Sequence, residues 1–171
     1  LAYVAFHAAH AEFHAPPPGL IASDLSDAPP IEADPRPYYR AMIEALDREL
    51  GRLLDGLGPA RSETTVLFLS DNGTTPHVIS DADEAARAKG SLFEGGLAVP
   101  LIVSGRGVVE PGRRADALVG AVDVFATVCD LLGVEAQAAL PPDRILDARS
   151  FTPLLADPHA PPTRTTLFAE A

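Results

Sequence analysis

The chain has 171 residues, 47% of them hydrophobic and 22% charged, which is enough apolar material for one ordinary core. Its 24 acidic and 13 basic residues leave a net charge of −11, which argues against nucleic acid or an anionic membrane surface as a partner, since both are held by Lys and Arg. A single cysteine, Cys129, excludes an internal disulfide and a cysteine-based zinc site, and no apolar run reaches the length of a membrane span.

Taken in order, Leu1 to Phe6 reads as a short buried strand. His7, His10 and His14 follow it, and Pro16-Pro17-Pro18-Gly19 then breaks regular structure. Ala15 to Pro37 is a long connection rich in Pro, Asp and Ser, without a recognisable motif. Tyr38 to Leu57 is the clearest helix. Met42, Ile43, Leu46, Leu50, Leu53, Leu54 and Leu57 recur at helical spacing, and charged residues fill the other face. Glu44 and Arg48 are spaced for an i,i+4 pair, and Gly56, Gly58 and Pro59 stop the helix.

Thr64 to Leu69 is a continuous β-branched and aromatic run, as in a strand covered on both faces, and Val99 to Ser104 is a second. Ala115 to Val119 reads as a short extended segment. Val122 to Leu132 reads as a helix capped by Asp123 and ended by Gly133, with Cys129 a buried thiol on its apolar face. Leu140 to Asp147 is irregular, Ser150 to Leu155 a turn or short helix, and Thr165 to Ala169 a final strand. Strands alternating with helices predict an α/β fold, a three-layer sandwich with a mostly parallel sheet. Ligands in such sheets sit beyond the carboxyl ends of the strands.

Chemistry-bearing residues gather there. Asp71 and Asn72 follow the strand that ends at Leu69, in Ser70-Asp71-Asn72-Gly73. Both offer oxygen, which suits a hard cation such as Ca²⁺ or Mg²⁺ better than Zn²⁺. The same four residues also make a good turn. Lys89, beside Gly90-Ser91, can act as a point charge on a sulfate or phosphate, or be an exposed lysine. His7, His10 and His14 can donate to an anion or move a proton. His77 and His159 are isolated in loops, and Ser70 has no evident triad partner.

Together, Thr65-Val66-Leu67-Phe68-Leu69-Ser70-Asp71-Asn72-Gly73 and Lys89-Gly90-Ser91-Leu92-Phe93-Glu94-Gly95-Gly96, with Val99-Pro100-Leu101-Ile102-Val103, resemble the sulfatase family, the type I arylsulfatase branch of the alkaline phosphatase-like superfamily. Leu1 to His10, the Tyr38–Leu57 helix and Val122 to Thr127 with Leu131-Leu132-Gly133 extend the resemblance to about Leu155. It implies that Asp71 and Asn72 are ligands of one Ca²⁺ ion, in preference to Mg²⁺. It implies that Lys89 contacts the sulfate ester, and His10 likewise, although Ala9, Ala11 and Glu12 depart from the family's usual Pro and Thr-Pro surroundings.

The family's nucleophile is a formylglycine made within Cys/Ser-x-Pro-x-Arg. No such motif stands here, since Cys129 is followed by Asp130-Leu131-Leu132. The resemblance therefore implies that residues 1–171 form the carboxyl-terminal portion of a single sulfatase catalytic domain. The nucleophile and the paired Asp metal ligands would then lie upstream of residue 1. The expected activity of the complete protein is calcium-assisted cleavage of a small-molecule or saccharide sulfate ester. A phosphate or phosphonate ester hydrolase of the same superfamily is the alternative, and a non-catalytic module that keeps the fold is another. Two-metal relatives resemble a pattern with Asp-His where this chain has Asp71-Asn72, which favours sulfate. Periplasmic, secreted and cytoplasmic locations all stay open.

Overall fold

The computed structural model describes residues 1–170. The chain forms two compact units: Leu1–Ser62 with Asn72–Val99, and Glu63–Asp71 with the residues from Pro100 onward.

The first unit is built on α1, Arg36–Gly56. Pro35 and Pro37 preset the entry, because proline is tolerated where the first turn's N–H groups have no acceptor. The helix buries Ala41, Met42 and Ala45. The apolar stripe is wider than the face it buries, since Ile43 is 44% exposed and Leu53 37%. Glu44 makes a different contact from the one its spacing suggests. Its carboxylate accepts the N–H groups of Ala22 and Ser23 at 3.0 Å each, and the Ser23 hydroxyl as well. Those bonds hold the carboxyl below its usual range, the Ser23 hydroxyl most of all. The long connection of residues 15–37 is thus pinned to α1, helped by the Tyr38 hydroxyl donating to Pro29 O at 3.0 Å. Within this helix Arg52 pairs with Glu49, at i,i+3. Two short helices, α2 (Ala82–Ala85) and α3 (Glu94–Leu97), complete the unit.

The second unit carries β1, Thr65–Leu69, and β2, Leu101–Gly105. They pair antiparallel, with Thr65 opposite Gly105 and Leu69 opposite Leu101. This corrects the mostly parallel pairing expected from the alternation of strands and helices. Parallel neighbours need a crossover of a dozen or more residues, usually a helix packed on the sheet. The connection from β1 to β2 instead returns to the end it left, where the Ser70 N–H donates to Pro100 O at 3.3 Å. Among the described residues the sheet has these two strands alone. Leu1–Phe6, Ala115–Val119 and Thr165–Ala169 are not strands. Leu1 to Phe6 is exposed throughout, with Leu1 95% and Tyr3 91% accessible. Strand-forming side chains do not make a strand without a neighbour to supply ladder hydrogen bonds.

The core of this unit lies under α4, Asp123–Leu131, and α5, Thr152–Ala156. Ala126, Thr127, Cys129, Phe151 and Leu154 are buried there. Cys129 is a buried free thiol, as its apolar surroundings suggest. Gly133 follows α4 with φ +69°. Asp123 differs from expectation. Val122 is the N-cap, and Asp123 opens the helix with a fully buried carboxylate. That carboxylate accepts Gly120 N–H and Arg149 N–H at 2.8 Å each and pairs with Arg164. Burial pushes its pKa up, but the Arg164 bond and the two backbone donors outweigh this and hold it below the usual carboxylate range.

Asp123→Asn is expected to cost about 3 kcal/mol in urea unfolding, because it takes the carboxylate partner away from the half-buried Arg164 guanidinium. The charged carboxylate's contribution is present at neutral pH, above its unfolded pKa of about 3.9. It is lost as pH falls through the lower folded value. The wild type should therefore lose stability below about pH 4 more steeply than the Asn variant; parallel acid curves for the two proteins would contradict this role.

Candidate functional site

The site is assembled by backbone. β1 delivers the chain to Ser70, and Asp71, exposed, ends that segment one peptide bond before Asn72. Asn72 is half-buried, and its Nδ2 donates to Gly73 O at 3.1 Å. The Gly73 N–H then donates to Gly96 O at 3.2 Å, and the Lys89 N–H to Thr74 O at 3.0 Å. These two bonds stitch the Asp-Asn-Gly turn to the Lys-Gly-Ser turn, although Gly73 and Lys89 stand 16 positions apart in the chain.

Glycines permit the contact. A Cβ on Gly73 would lie 1.9 Å from Gly95 O, one on Gly95 2.7 Å from Arg87 O, and one on Gly96 2.3 Å from Ser91 O. All three obstacles are backbone, so no side-chain rotation could make room. The sequence suggests that Gly73 lets the backbone approach an ion, whereas the close approach in the structure is to a second stretch of backbone. Gly90 has φ +91°, a conformation that costs glycine little, and turns the chain directly after Lys89.

The loop of residues 74–88 has local order that its composition hides. A 3₁₀ turn spans Pro76–Val78. Asp81 caps α2, accepting the N–H groups of Asp83 and Glu84 at 2.9 Å each. The signal was present, since Asp81 followed three residues later by Glu84 has the spacing of a capping box. Arg36, at the start of α1, donates to the Ser80 hydroxyl and clamps Asp34 at 2.6 Å, lowering that carboxyl to about 2. Loop and helix are therefore fastened together just ahead of Lys89. Arg87 lies over the ring of Phe93, 5.0 Å from its centroid.

Of the residues singled out from sequence, Asn72 and Lys89 share this scaffold. His10 makes contacts within its own turn. Its N–H donates to His7 O at 2.9 Å, its ring Nδ1 meets Ala11 O, and its ring stands edge-on to His7 at 5.6 Å between centroids. His77 meets the Thr75 hydroxyl at 3.1 Å. For a hard cation, the carboxylate of Asp71 and the amide oxygen of Asn72 are donors of the right chemistry. Among the described residues no group of three or more His, Cys, Asp or Glu is placed to hold a metal ion. A calcium shell takes about 6–8 oxygen ligands.

The sulfatase family model matches residues 1–134. The chain belongs to the sulfatase family. It is 37% identical to mouse (Mus musculus) steryl-sulfatase over 128 residues, covering 68% of this chain and 20% of that protein. It is 30% identical to a sulfatase of Formosa agariphila over 172 residues, covering 90% of this chain and 29% of that protein. Zebrafish (Danio rerio) arylsulfatase K is 34% identical over 133 residues, or 72% of this chain and 23% of that one. In three dimensions the chain resembles the crystal structure of Ps i-CgsB, with a TM-score of 0.59 and 28% identity over 70% of this chain and 26% of that one. This sulfatase chain thus spans about a fifth of the steryl-sulfatase and less than a third of each of the others. Among the described residues, no helix is long and apolar enough to cross a membrane.

Proposed function

We propose that residues 1–171 are the carboxyl-terminal portion of one sulfatase catalytic domain, and that the complete protein hydrolyses a small-molecule or saccharide sulfate ester. On this reading the antiparallel β1–β2 pair belongs to a larger, three-layer sandwich. The observation that supports the chemistry best is the backbone stitching of the Asn72 turn to Lys89 through Gly73, Thr74 and Gly96. It holds a metal-type oxygen donor and an ammonium group on one small scaffold.

Asp71 and Asn72 are the residues to hold one Ca²⁺, which when bound would neutralise negative charge on the sulfate oxygens. Lys89 donates to a sulfate oxygen and supplies a full positive charge where charge grows in the transition state. His10 is placed in the same role on resemblance. The attacking oxygen would come from a formylglycine in a Cys/Ser-x-Pro-x-Arg segment, a pattern that this chain does not carry.

Calcium titration of the complete protein tests the metal half of this reading. Asp71→Ala should weaken calcium binding tenfold or more, about 1.4 kcal/mol, with hydrolysis restored only at correspondingly higher calcium after chelation. An unchanged calcium affinity would remove Asp71 from the ligand set.

A further inference from the structure

We infer that Arg87, held over the Phe93 ring beside Lys89, is a specificity-determining residue that binds a second oxyanion of the substrate, a carboxylate or a second sulfate. The substrate class is then a saccharide sulfate with two anionic groups, taken in preference to a singly charged aryl sulfate. The inference rests on the reading of Lys89 as the group that meets the ester, and deepens it.

Arg87 and Lys89 flank Ala88, which is 1% exposed. The glycine segment closes on that alanine. A Cβ on Gly95 would stand 3.6 Å from the Ala88 Cα, and one on Gly96 2.7 Å from the Ala88 carbonyl oxygen. The residues on either side are fastened as well. The Arg87 N–H donates to Glu84 O and the Lys89 N–H to Thr74 O, at 3.0 Å each. Two cations thus leave one anchored turn, from Cα atoms no more than about 7 Å apart.

The Arg87 guanidinium carbon lies 5.0 Å from the centroid of the Phe93 ring. The ring is 55% exposed and therefore offers a face at the surface. Its backbone is tied down, since the Phe93 carbonyl accepts the N–H groups of Gly96 and Leu97 at 2.9 and 3.0 Å. Carboxylates stand close in sequence at Asp83, Glu84 and Glu94, yet among the described residues none forms an ion pair with Arg87. An arginine seated on a ring is held through its plane and keeps its N–H edge for an oxyanion. That edge is a fork matched to two oxygens of a carboxylate or sulfate, whereas a lysine is a point charge. The chain carries −11 and repels a dianion at long range, so such a substrate needs local cations, and this turn supplies two.

The test uses the complete protein and four sulfates: p-nitrophenyl sulfate, a monosulfated neutral disaccharide, the same disaccharide with a uronate carboxylate, and the same with a second sulfate. One of the two dianionic disaccharides should show a kcat/KM about tenfold or more above that of the neutral one, mainly through KM, as expected of one charge-assisted contact. Which of them it is tells a carboxylate site from a sulfate site. Arg87→Gln should remove that preference with no comparable loss on the two singly charged sulfates. Arg87→Lys, which keeps the charge without the fork, should retain part of it. An equal loss on all four substrates, or a preference untouched by Arg87→Gln, would overturn the inference. Calorimetric binding of the same disaccharides separates it from the reading of Lys89. Dianion binding weakened by Arg87→Gln in a protein that turns over no sulfate would keep this subsite and sink the proposed chemistry. Turnover of p-nitrophenyl sulfate with no preference for a second charge would do the reverse.

Discussion

Lys89→Ala in the complete protein is expected to lower kcat/KM for p-nitrophenyl sulfate by about 10²- to 10³-fold, the usual cost of removing one donor aimed at developing charge. The reason is local. The Lys89 N–H bond to Thr74 O is made by backbone, so the substitution removes the ammonium group without loosening the turn. Thermal stability should therefore hold while catalysis falls. Lys89→Arg should recover only part of the loss, since a planar guanidinium is wider and differently directed than a point ammonium. A kcat/KM near the wild-type value for the Ala variant, with folding intact, would mean that the lysine does not face the ester.

Gly73→Ala should be among the most destabilising single methyl additions in the chain. The new Cβ would sit 1.9 Å from Gly95 O and 2.9 Å from the Gly96 Cα, with backbone on both sides. Relief requires the Asp-Asn-Gly turn and the Glu-Gly-Gly segment to separate, which breaks the Gly73 N–H bond to Gly96 O. A cost of about 4 kcal/mol or more, in the tail of single-substitution effects, is expected in denaturant unfolding. Hydrogen exchange should rise at Gly73 and Lys89 together. Gly51→Ala provides the contrast. Gly51 lies inside α1 with open space around a Cβ, so the same methyl should stabilise by about 0.5–1 kcal/mol. If Gly73→Ala behaved like Gly51→Ala, the glycine contact would not be what holds the two turns together.

The parts of the fold that were legible in the sequence are those fixed by neighbours along the chain. α1 announced itself through apolar spacing and flanking prolines and glycines, and the structure places it at Arg36–Gly56, within about a turn of the expected Tyr38–Leu57. β1 and β2 followed from β-branched runs and differ from expectation by one or two residues. What failed depends on distant partners. Leu1–Phe6 has the composition of a strand but no ladder neighbour. Asp123 looked like a cap because the arginine that claims it stands 41 residues away. Glu44 looked ready for Arg48 until a loop 21 residues upstream supplied hydroxyl and backbone donors.

The site divides in the same way. Asp71, Asn72 and Lys89 were legible as residue types at the ends of strands, and the glycines beside them as flexible points. The exchange of contacts among Gly73, Gly95 and Gly96 was not, because it joins stretches about 20 residues apart through backbone atoms alone, and a side-chain pattern carries no record of that. His10 entered on resemblance, and its contacts lie within its own turn.

The most direct measurement is the ratio of kcat/KM for p-nitrophenyl sulfate to that for p-nitrophenyl phosphate, taken on the complete protein with calcium supplied and again after chelation. On the proposed reading, in which Asn72 and Asp71 hold one hard cation and Lys89 meets the ester, sulfate should be cleaved in preference, and chelation should abolish its turnover. Preferential cleavage of phosphate, or no turnover of either ester by a folded, calcium-loaded protein, would contradict the account.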